Sequence, residues 1–418
     1  MQKTKKAANI MYDVIVIGGG ASGMTAAGRA AELGKRVLLL EKNKKLGEKL
    51  AISGGGRCNI TNAQDNEKQL LSNYGKAEQF LYSPFTQFGM RDTFSFFEKI
   101  GLPLKVEVTK RAFPETEKAT DVVRVLKEYM AKGNVEVYMG KPVEKIGAKA
   151  GCIQSVTAGG LVFEAKSYIL ATGGVSHPET GSTGDGFNWL SGFGHTVFQP
   201  TPTIVPLAVK DAWVKELKGV TLKGAKISFF IGSKKQFSSA GDILLTHFGL
   251  SGPTILNSAG KVADLLYVGP VTAIIDTYPT FDIGALDAKI VALFAENKNK
   301  LLRTLFKELA PAGASDALFK MLDIDAEVKV HSVSKTDRRK IIDLLKALPV
   351  TITGLMGFDR AVVADGGIPL AEIDMKTMKS AKIENLYITG DLLDITRPSG
   401  GYSLQLCWTT GFIAGSNA

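Results

Sequence analysis

The sequence predicts an α/β fold in which both ends of the chain build a parallel sheet and a β-rich insertion interrupts the sheet-forming chain. Three stretches predict it. YDVIVIGGGASGMTAAGRAAELGKRVLLLE, from Tyr12 to Glu41, reads as strand, glycine turn, helix, strand and terminal acid. NLYITGD, at 385–391, is a short apolar strand ending in Gly-Asp, and from Gly400 a glycine turn opens an apolar helix. Between these two similar ends, from about Thr201, the texture changes to β-prone segments and then to a helical stretch rich in Leu, Lys and Ala.

Val14 to Ile17 form an uninterrupted apolar run, as expected of a parallel strand covered on both faces. Gly18, Gly20 and Gly23 then supply G-x-G-x-x-G at the opening of a helix. Gly18 permits the tight turn, Gly20 lets backbone N–H groups approach a pyrophosphate, and Gly23 lets the helix pack close to the strand. The helix N-terminus adds its partial positive charge. The second strand, Val37 to Leu40, ends in Glu41, at roughly the 20-residue spacing of an acid that accepts hydrogen bonds from an adenosine ribose. A carboxylate there disfavours a 2′-phosphate, which Lys42 offsets only weakly. By itself this stretch leaves FAD and NAD both open.

The loop KLGEKLAISGGGRCNITN follows, too rich in Gly, Ser and Asn for regular structure. Helices are predicted over Pro84–Lys99 and Ala119–Lys132, a strand over Val135–Met139, and a β-meander from Val143 to Leu170. The meander closes on SYILATGG, a strand expected to join the parallel sheet. Ala171, Thr172, Gly173 and Gly174 would let backbone pass close to a cofactor, although turn geometry alone also explains the glycines. The insertion carries β-prone segments at Val205–Val209, Ala225–Ile231, Ile243–Leu245 and Val271–Ile275, then helical sequence from about Ile283 to Leu348.

Composition narrows the class. A chain of 418 residues with 45% hydrophobic and 22% charged content is that of a soluble protein of two or three domains. No apolar run approaches the roughly 18 to 20 residues of a membrane span. The first ten residues lack the apolar core of a secretory signal and read as a disordered leader or an upstream start. Three dispersed cysteines, Cys58, Cys152 and Cys407, argue for a reducing, cytoplasmic setting. Four dispersed histidines give no metal-ligand spacing, so no metal is expected. The net charge of +10 includes Lys3, Lys5 and Lys6 of the leader and is otherwise spread out, as on solvated faces; a nucleic-acid partner is not expected. There is no C-x-x-C, no G-x-S-x-G and no convincing Ser/His/Asp set, which excludes dithiol reductases and serine hydrolases. GSTGDG at 181–186 has the wrong spacing and context for a second fingerprint, so an NAD(P)H donor would act without a Rossmann domain of its own.

GGGASG, Glu41, SGGGRCNITN at 53–62, RAFPETEKA at 111–119, LLTHFGLSGPTIL at 244–256 and ITGDLLDITRPSGGYSLQ at 388–405 together resemble the BaiN/RdsA-like family of bacterial NAD(P)/FAD-dependent oxidoreductases, flavoproteins related to aminoacetone oxidase. The resemblance covers nearly the whole chain. It implies a discontinuous Rossmann-type FAD-binding domain with an inserted β-barrel-like domain and a small helical domain. Placed on this sequence, these are 11–195 with 350–418, 196–280 with 325–349, and 281–324. Gly390-Asp391 departs from the Gly-Glu that relatives often carry, keeping the carboxylate but shortening its reach.

On this reading FAD contacts Gly18, Gly20, Ala21, Ser22, Gly23, Glu41, Lys42, Lys49, Ser53, Gly55, Gly56, Arg57, Cys58, Asn59, Val143, Ala171, Thr172, Gly173, Gly174, Gly390, Asp391, Gly400, Gly401, Tyr402, Ser403 and Leu404. Asp391 suits the ribityl hydroxyls, and the helix opened by Gly400 and Gly401 suits the pyrimidine end of the flavin, where its dipole would stabilise negative charge. Arg57 can bond the ring edge or an anionic substrate. Cys58 reads as a packing or flavin-neighbour residue, with a nucleophilic or redox thiol as the alternative, Cys407 as core, and Arg397 and Tyr402 as candidates for substrate contact or as surface residues; Arg57, Cys58, Arg397 and Tyr402 are the candidate catalytic residues. The expected chemistry is hydride transfer at flavin N5 to or from a small organic molecule or NAD(P)H, with the inserted domain completing the substrate pocket. An oxygen-using amine oxidase and, in another class, a flavin-containing RNA-binding or RNA-modifying protein remain alternatives. Oligomeric state is not legible.

Overall fold

The computed structural model describes residues 11–418; the expected leader lies outside them. The chain forms two compact units, one running up to Thr201 and resuming over Val362–Ala418, the other comprising Pro202–Ala361.

The first unit is built on a parallel sheet. Strand β1 (Met11–Ile17) leads through helix α1 (Ala21–Glu32) to β2 (Val37–Glu41), helix α2 (Glu48–Ile52) and helix α3 (Ala119–Lys132). Strands β3 (Glu136–Met139), β4 (Val143–Lys149), β5 (Cys152–Ala158) and β6 (Leu161–Leu170) follow. β1 pairs in parallel with β2 (Val14↔Val37, Ile17↔Leu40) and with β6 (Val14↔Ser167, Ile17↔Leu170). β3 adds in parallel to β2, and β4 and β5 extend β6 as an antiparallel meander. Val14, Ile15 and Val16 are wholly buried, which is why this strand shows no polar alternation. The predicted helix over 84–99 is instead two, Glu78–Gln87 and Met90–Lys99. The break falls at Phe88–Gly89, where Asp92 accepts a hydrogen bond from Gly89 N at 2.8 Å and starts the second helix afresh.

The second unit is a closed antiparallel barrel of β7 (Leu207–Val209), β8 (Thr221–Ile231), β9 (Lys234–Leu245), β10 (Gly249–Ser251), β11 (Val271–Asp276) and β12 (Leu348–Leu355), in the order β7-β10-β9-β8-β11-β12. Ala225, Ile227 and Phe229 alternate inward along β8, and Leu222 joins them across a β-bulge. Helices α4 (Ile283–Glu296), α5 (Leu302–Leu309) and α6 (Lys335–Lys346) bury Leu286, Ile290, Leu305, Phe306 and Ile341 in the same apolar cluster as the barrel strands. The helices at 281–324 therefore share the barrel's core instead of enclosing one of their own, and residues 350–355 are barrel strand, so the chain returns to the first unit at Val362.

On its return the chain forms β13 (Leu386–Ile388), which pairs with the end of β6, giving the parallel order β3-β2-β1-β6-β13. It ends in α7 (Tyr402–Asn417), which lies directly on α1. A Cβ at Gly411 would sit 2.4 Å from Ser22 O, and one at Gly415 2.3 Å from Ala26 O. Two glycines one turn apart on α7, facing the small residues of α1, thus allow backbone-to-backbone contact and join the end of the chain to its beginning.

Candidate functional site

A cleft of about 950 Å³ opens at the C-terminal ends of β1, β6 and β13, the position at which open α/β sheets bind ligands. It shares Gly18, Glu41, Thr172 and Gly181 with a smaller cleft of about 390 Å³ lined by Val143, Lys141 and Trp189, so the two are continuous. The first glycine turn is built as the spacing requires. Gly18 has φ +106°, and a Cβ there would meet Ala171 O at 2.4 Å; a Cβ at Gly23 would lie 1.8 Å from Gly18 O. Gly23 is therefore the glycine of helix-to-strand packing and stands behind the wall. Around Gly20, by contrast, a Cβ would meet nothing within 4 Å, and the first N–H groups of α1 have no side-chain cap. An uncapped helix N-terminus facing open space fits a pyrophosphate.

Glu41 is 9% exposed and lines both clefts. Its carboxylate accepts hydrogen bonds from Gly19 N at 2.6 Å and Asn43 N at 2.8 Å. Burial raises its pKa, and these two bonds only partly oppose the rise. Lys42 spans the smaller cleft's rim to Asp185 at 2.7 Å and Thr183 at 2.5 Å.

At the opposite end, Asp391 follows β13. One carboxylate oxygen pairs with Lys49 at 3.2 Å and the other with Arg397. Burial alone would raise the Asp391 carboxyl, but the Lys49 and Arg397 charges outweigh it and hold the group below the usual carboxylate range. Ser403 and Leu404, in the first turn of α7, line the same end. That turn is fixed from behind: Gly401 has φ +103°, a Cβ there would meet Thr61 C at 2.3 Å, and Tyr74 donates to Tyr402 O at 2.8 Å.

Of the predicted residues, Gly18, Gly20, Ala21, Ser22, Glu41, Lys49, Ser53, Ala171, Thr172, Gly173, Asp391, Ser403 and Leu404 line the large cleft, and Lys42 and Val143 the small one. The others are not among the residues lining these two clefts. Gly174 and Gly390 pack beside Asp391 and Ser22, and Gly400 beside Asn62. Arg57 is engaged by Glu107 and Glu117, each at 2.7 Å, and lies 4.0 Å over the Phe113 ring, with Gly55 and Gly56 exposed next to it. Cys58 is fully buried, and that burial pushes its thiol up to about 12 and disfavours the thiolate. Asn59, with its amide nitrogen toward Thr61 O and Ala112 O, turns its oxygen to Gly401 N at 3.0 Å and so supports the α7 turn. Arg397 and Tyr402, read as substrate-contact or surface residues, are only 2% and 5% exposed and form neither the surface nor the cleft wall.

The structure adds residues that sequence reading passed over. Gly181, Ser182 and Asp185 come from the GSTGDG loop, tested only as a second fingerprint, and Asn43 and Gly47 from the loop after β2. Cys407, read as core, lies one helical turn beyond Ser403 and faces the cleft with it; i to i+4 spacing was the available signal. Among the described residues no cluster of His, Cys, Asp and Glu suits a metal, and no helix is long and apolar enough to cross a membrane.

The family model described as HI0933-like protein Rossmann domain matches residues 12–417. The chain is 30% identical to a 3-dehydro-bile acid delta(4,6)-reductase of Clostridium scindens, over 98% of this chain and 99% of that one. It is 28% identical to a ribosomal RNA dihydrouridine synthase of Haemophilus influenzae, over 95% and 96% of the two chains. The fold resembles the solved 3-ketosteroid-delta4-(5alpha)-dehydrogenase of Rhodococcus jostii, with TM-score 0.56 and 14% identity over 99% of this chain and 98% of that one. A model match from the first sheet strand almost to the last residue, with a relative aligned end to end, establishes that this chain belongs to the HI0933-like, BaiN/RdsA-like Rossmann family of FAD-dependent oxidoreductases.

Proposed function

We propose that the chain holds FAD along the continuous cleft and reduces a carbon–carbon double bond conjugated to a carbonyl in a small organic substrate, with NAD(P)H as electron donor. The observation that carries the cofactor reading is the cleft's polarity along its length. An acid, Glu41, stands at one end, an uncapped helix N-terminus in the middle, and Asp391 with the first turn of a second helix at the other end. In this reading Glu41 accepts from the adenosine ribose, the N–H groups after Gly20 receive the pyrophosphate, Asp391 accepts from the ribityl hydroxyls, and Ser403 and Leu404 flank the ring. FAD, when bound, supplies two-electron hydride chemistry; the protein supplies orientation and electrostatics.

The substrate class is supported by what two relatives' names share. The names, a 3-dehydro-bile acid delta(4,6)-reductase and a ribosomal RNA dihydrouridine synthase, both fit saturation of a double bond conjugated to a carbonyl. The Haemophilus relative's name also supports a second reading, in which that double bond belongs to a uracil base in RNA. One experiment separates these. The reconstituted protein is reduced anaerobically with NAD(P)H, then mixed with a panel of cyclic enones and with a uridine-containing RNA transcript. Reoxidation by an enone supports the first reading, and reoxidation by RNA only supports the second. Reduction by an amine, with fast reoxidation by oxygen and none by an enone, replaces both with an oxidase. Failure to acquire a flavin spectrum after FAD reconstitution removes the cofactor reading.

A further inference from the structure

At the adenosine end Lys42, itself paired with Asp185, pulls the Glu41 pKa down and Glu48 pushes it up, so the acids there are partly balanced. The other end holds two cations, Lys49 and Arg397, around one anion, Asp391. The two cations have different standing. Lys49 keeps 30% of its side chain exposed and lines the cleft; among the described residues its partner beyond Asp391 is Ser176 at 3.5 Å, a long contact, so its ammonium retains donor capacity toward a ligand. Arg397 keeps 1%, and each of its three nitrogens is engaged: Nη2 by Asp391, Nη1 by Ile395 O at 2.5 Å and Nε by Ser403 Oγ at 3.2 Å. Through these bonds Arg397 connects the turn after β13 to the first turn of α7, and both turns contribute cleft-lining residues.

We propose that Arg397 is a positioning residue that tunes the reduction potential of the bound cofactor: it locks Asp391 to the N-terminal turn of α7, so that Lys49 and the helix N-terminus present their positive charge to the redox-active ring. The inference rests on the FAD reading above. The net charge of the Lys49–Asp391–Arg397 cluster is +1, and the α7 dipole adds positive potential at the same end. Reduction accumulates negative charge on the ring, so this end of the cleft favours the reduced cofactor. The planar guanidinium fork, which an ammonium cannot reproduce, sets the spacing of Asp391 and Ser403.

The test measures the midpoint potential of bound FAD by spectroelectrochemical titration at pH 8, and ADP affinity by calorimetry, in wild type, Arg397→Met, Arg397→Lys, Lys49→Met and Ser403→Ala. Arg397→Met and Lys49→Met are each expected to lose about tenfold of the preference for the reduced cofactor, about 30 mV for a two-electron couple, with ADP affinity unchanged. Arg397→Lys restores part of the loss, and Ser403→Ala moves the potential the same way by less. The Arg397→Met deficit shrinks as the pH is lowered, because Asp391, buried and left with Lys49 alone, takes up a proton more readily than in wild type and the cluster then returns to +1. A purely structural role for Arg397 would lower thermal stability without producing this pH profile. Wild-type potential in Lys49→Met and Ser403→Ala overturns the proposal even if Arg397→Met does not fold. So does a fall in ADP affinity at unchanged potential, which assigns the cluster to the pyrophosphate. Wild-type protein that never retains FAD defeats the cofactor reading instead.

Discussion

Replacing Glu41 by alanine tests the cofactor reading at its oldest sequence signal. A carboxylate offers about four lone-pair sites. Gly19 N and Asn43 N occupy two of Glu41's, leaving capacity for a ribose on the cleft side. A hydrogen bond to a charged acceptor contributes roughly 1.5 to 3 kcal/mol. Losing one ribose contact should therefore weaken FAD by roughly 10- to 150-fold, at 1.4 kcal/mol per decade. A second consequence follows from the same geometry: the buried Gly19 N–H loses its acceptor, so the apoprotein should itself lose roughly 1 to 3 kcal/mol of stability. The two effects are measured apart, the first by titrating apoprotein with FAD and with ADP and following flavin fluorescence and heat, the second by denaturant unfolding without ligand. Glu41→Gln, which keeps one acceptor, should fall between wild type and alanine on both scales. Unchanged affinity for both FAD and ADP in Glu41→Ala would refute the ribose role, whatever happens to stability.

The remaining expectations concern stability and reactivity. Gly411→Ala should destabilise the first unit by roughly 1 to 3 kcal/mol in urea unfolding, because the new methyl collides with Ser22 O on α1; wild-type stability would show that the two helices separate freely. His195 bonds Glu372 at 2.7 Å and Ser380 at 2.8 Å with no side-chain exposure, and burial lowers its pKa below 6.5 while Glu372 only partly opposes this. Its contribution to stability is thus complete above about pH 6.5 and lost as the pH falls below that toward the depressed value, so His195→Gln should flatten the wild-type decline that sets in below pH 6.5 in thermal melts. Glu372, held down to about 2 from 4.5 because Lys382, Thr196 and His195 outweigh its burial, adds a second loss only below pH 4.5. Cys58 should resist a thiol reagent at pH 8 until the protein unfolds, whereas the partly exposed Cys152 should label in the native state; rapid native labelling of Cys58 would show that its loop opens.

How much of the site was legible depended on whether a signal was local. Gly18, Gly20 and Glu41 could be located at the cleft because strand, turn and helix follow one another without a break, so each residue's position is fixed by its immediate neighbours. Asp391, Ser403 and Leu404 could be placed because a strand end and a helix start repeat the same grammar. Arg397 could not: its meaning lies in Asp391 and Ser403, each six residues away around a turn whose path nothing local dictates. Cys58 and Arg57 looked like cleft residues because their loop is rich in glycine, yet burial sealed one and two glutamates captured the other. The GSTGDG loop failed as a fingerprint and lines the cleft nonetheless, since loop glycines serve a wall as well as a phosphate turn.

The fold class, the first glycine turn and the return of the chain to its first sheet were determined by the sequence alone, because strand burial, turn conformation and helix dipoles act over a few residues. Which side chains face the cleft, and which are consumed in holding it, was decided only by the tertiary structure. Whether a charged or polar group remains available depends on the partners that packing brings to it from distant parts of the chain, and on how far that packing excludes water.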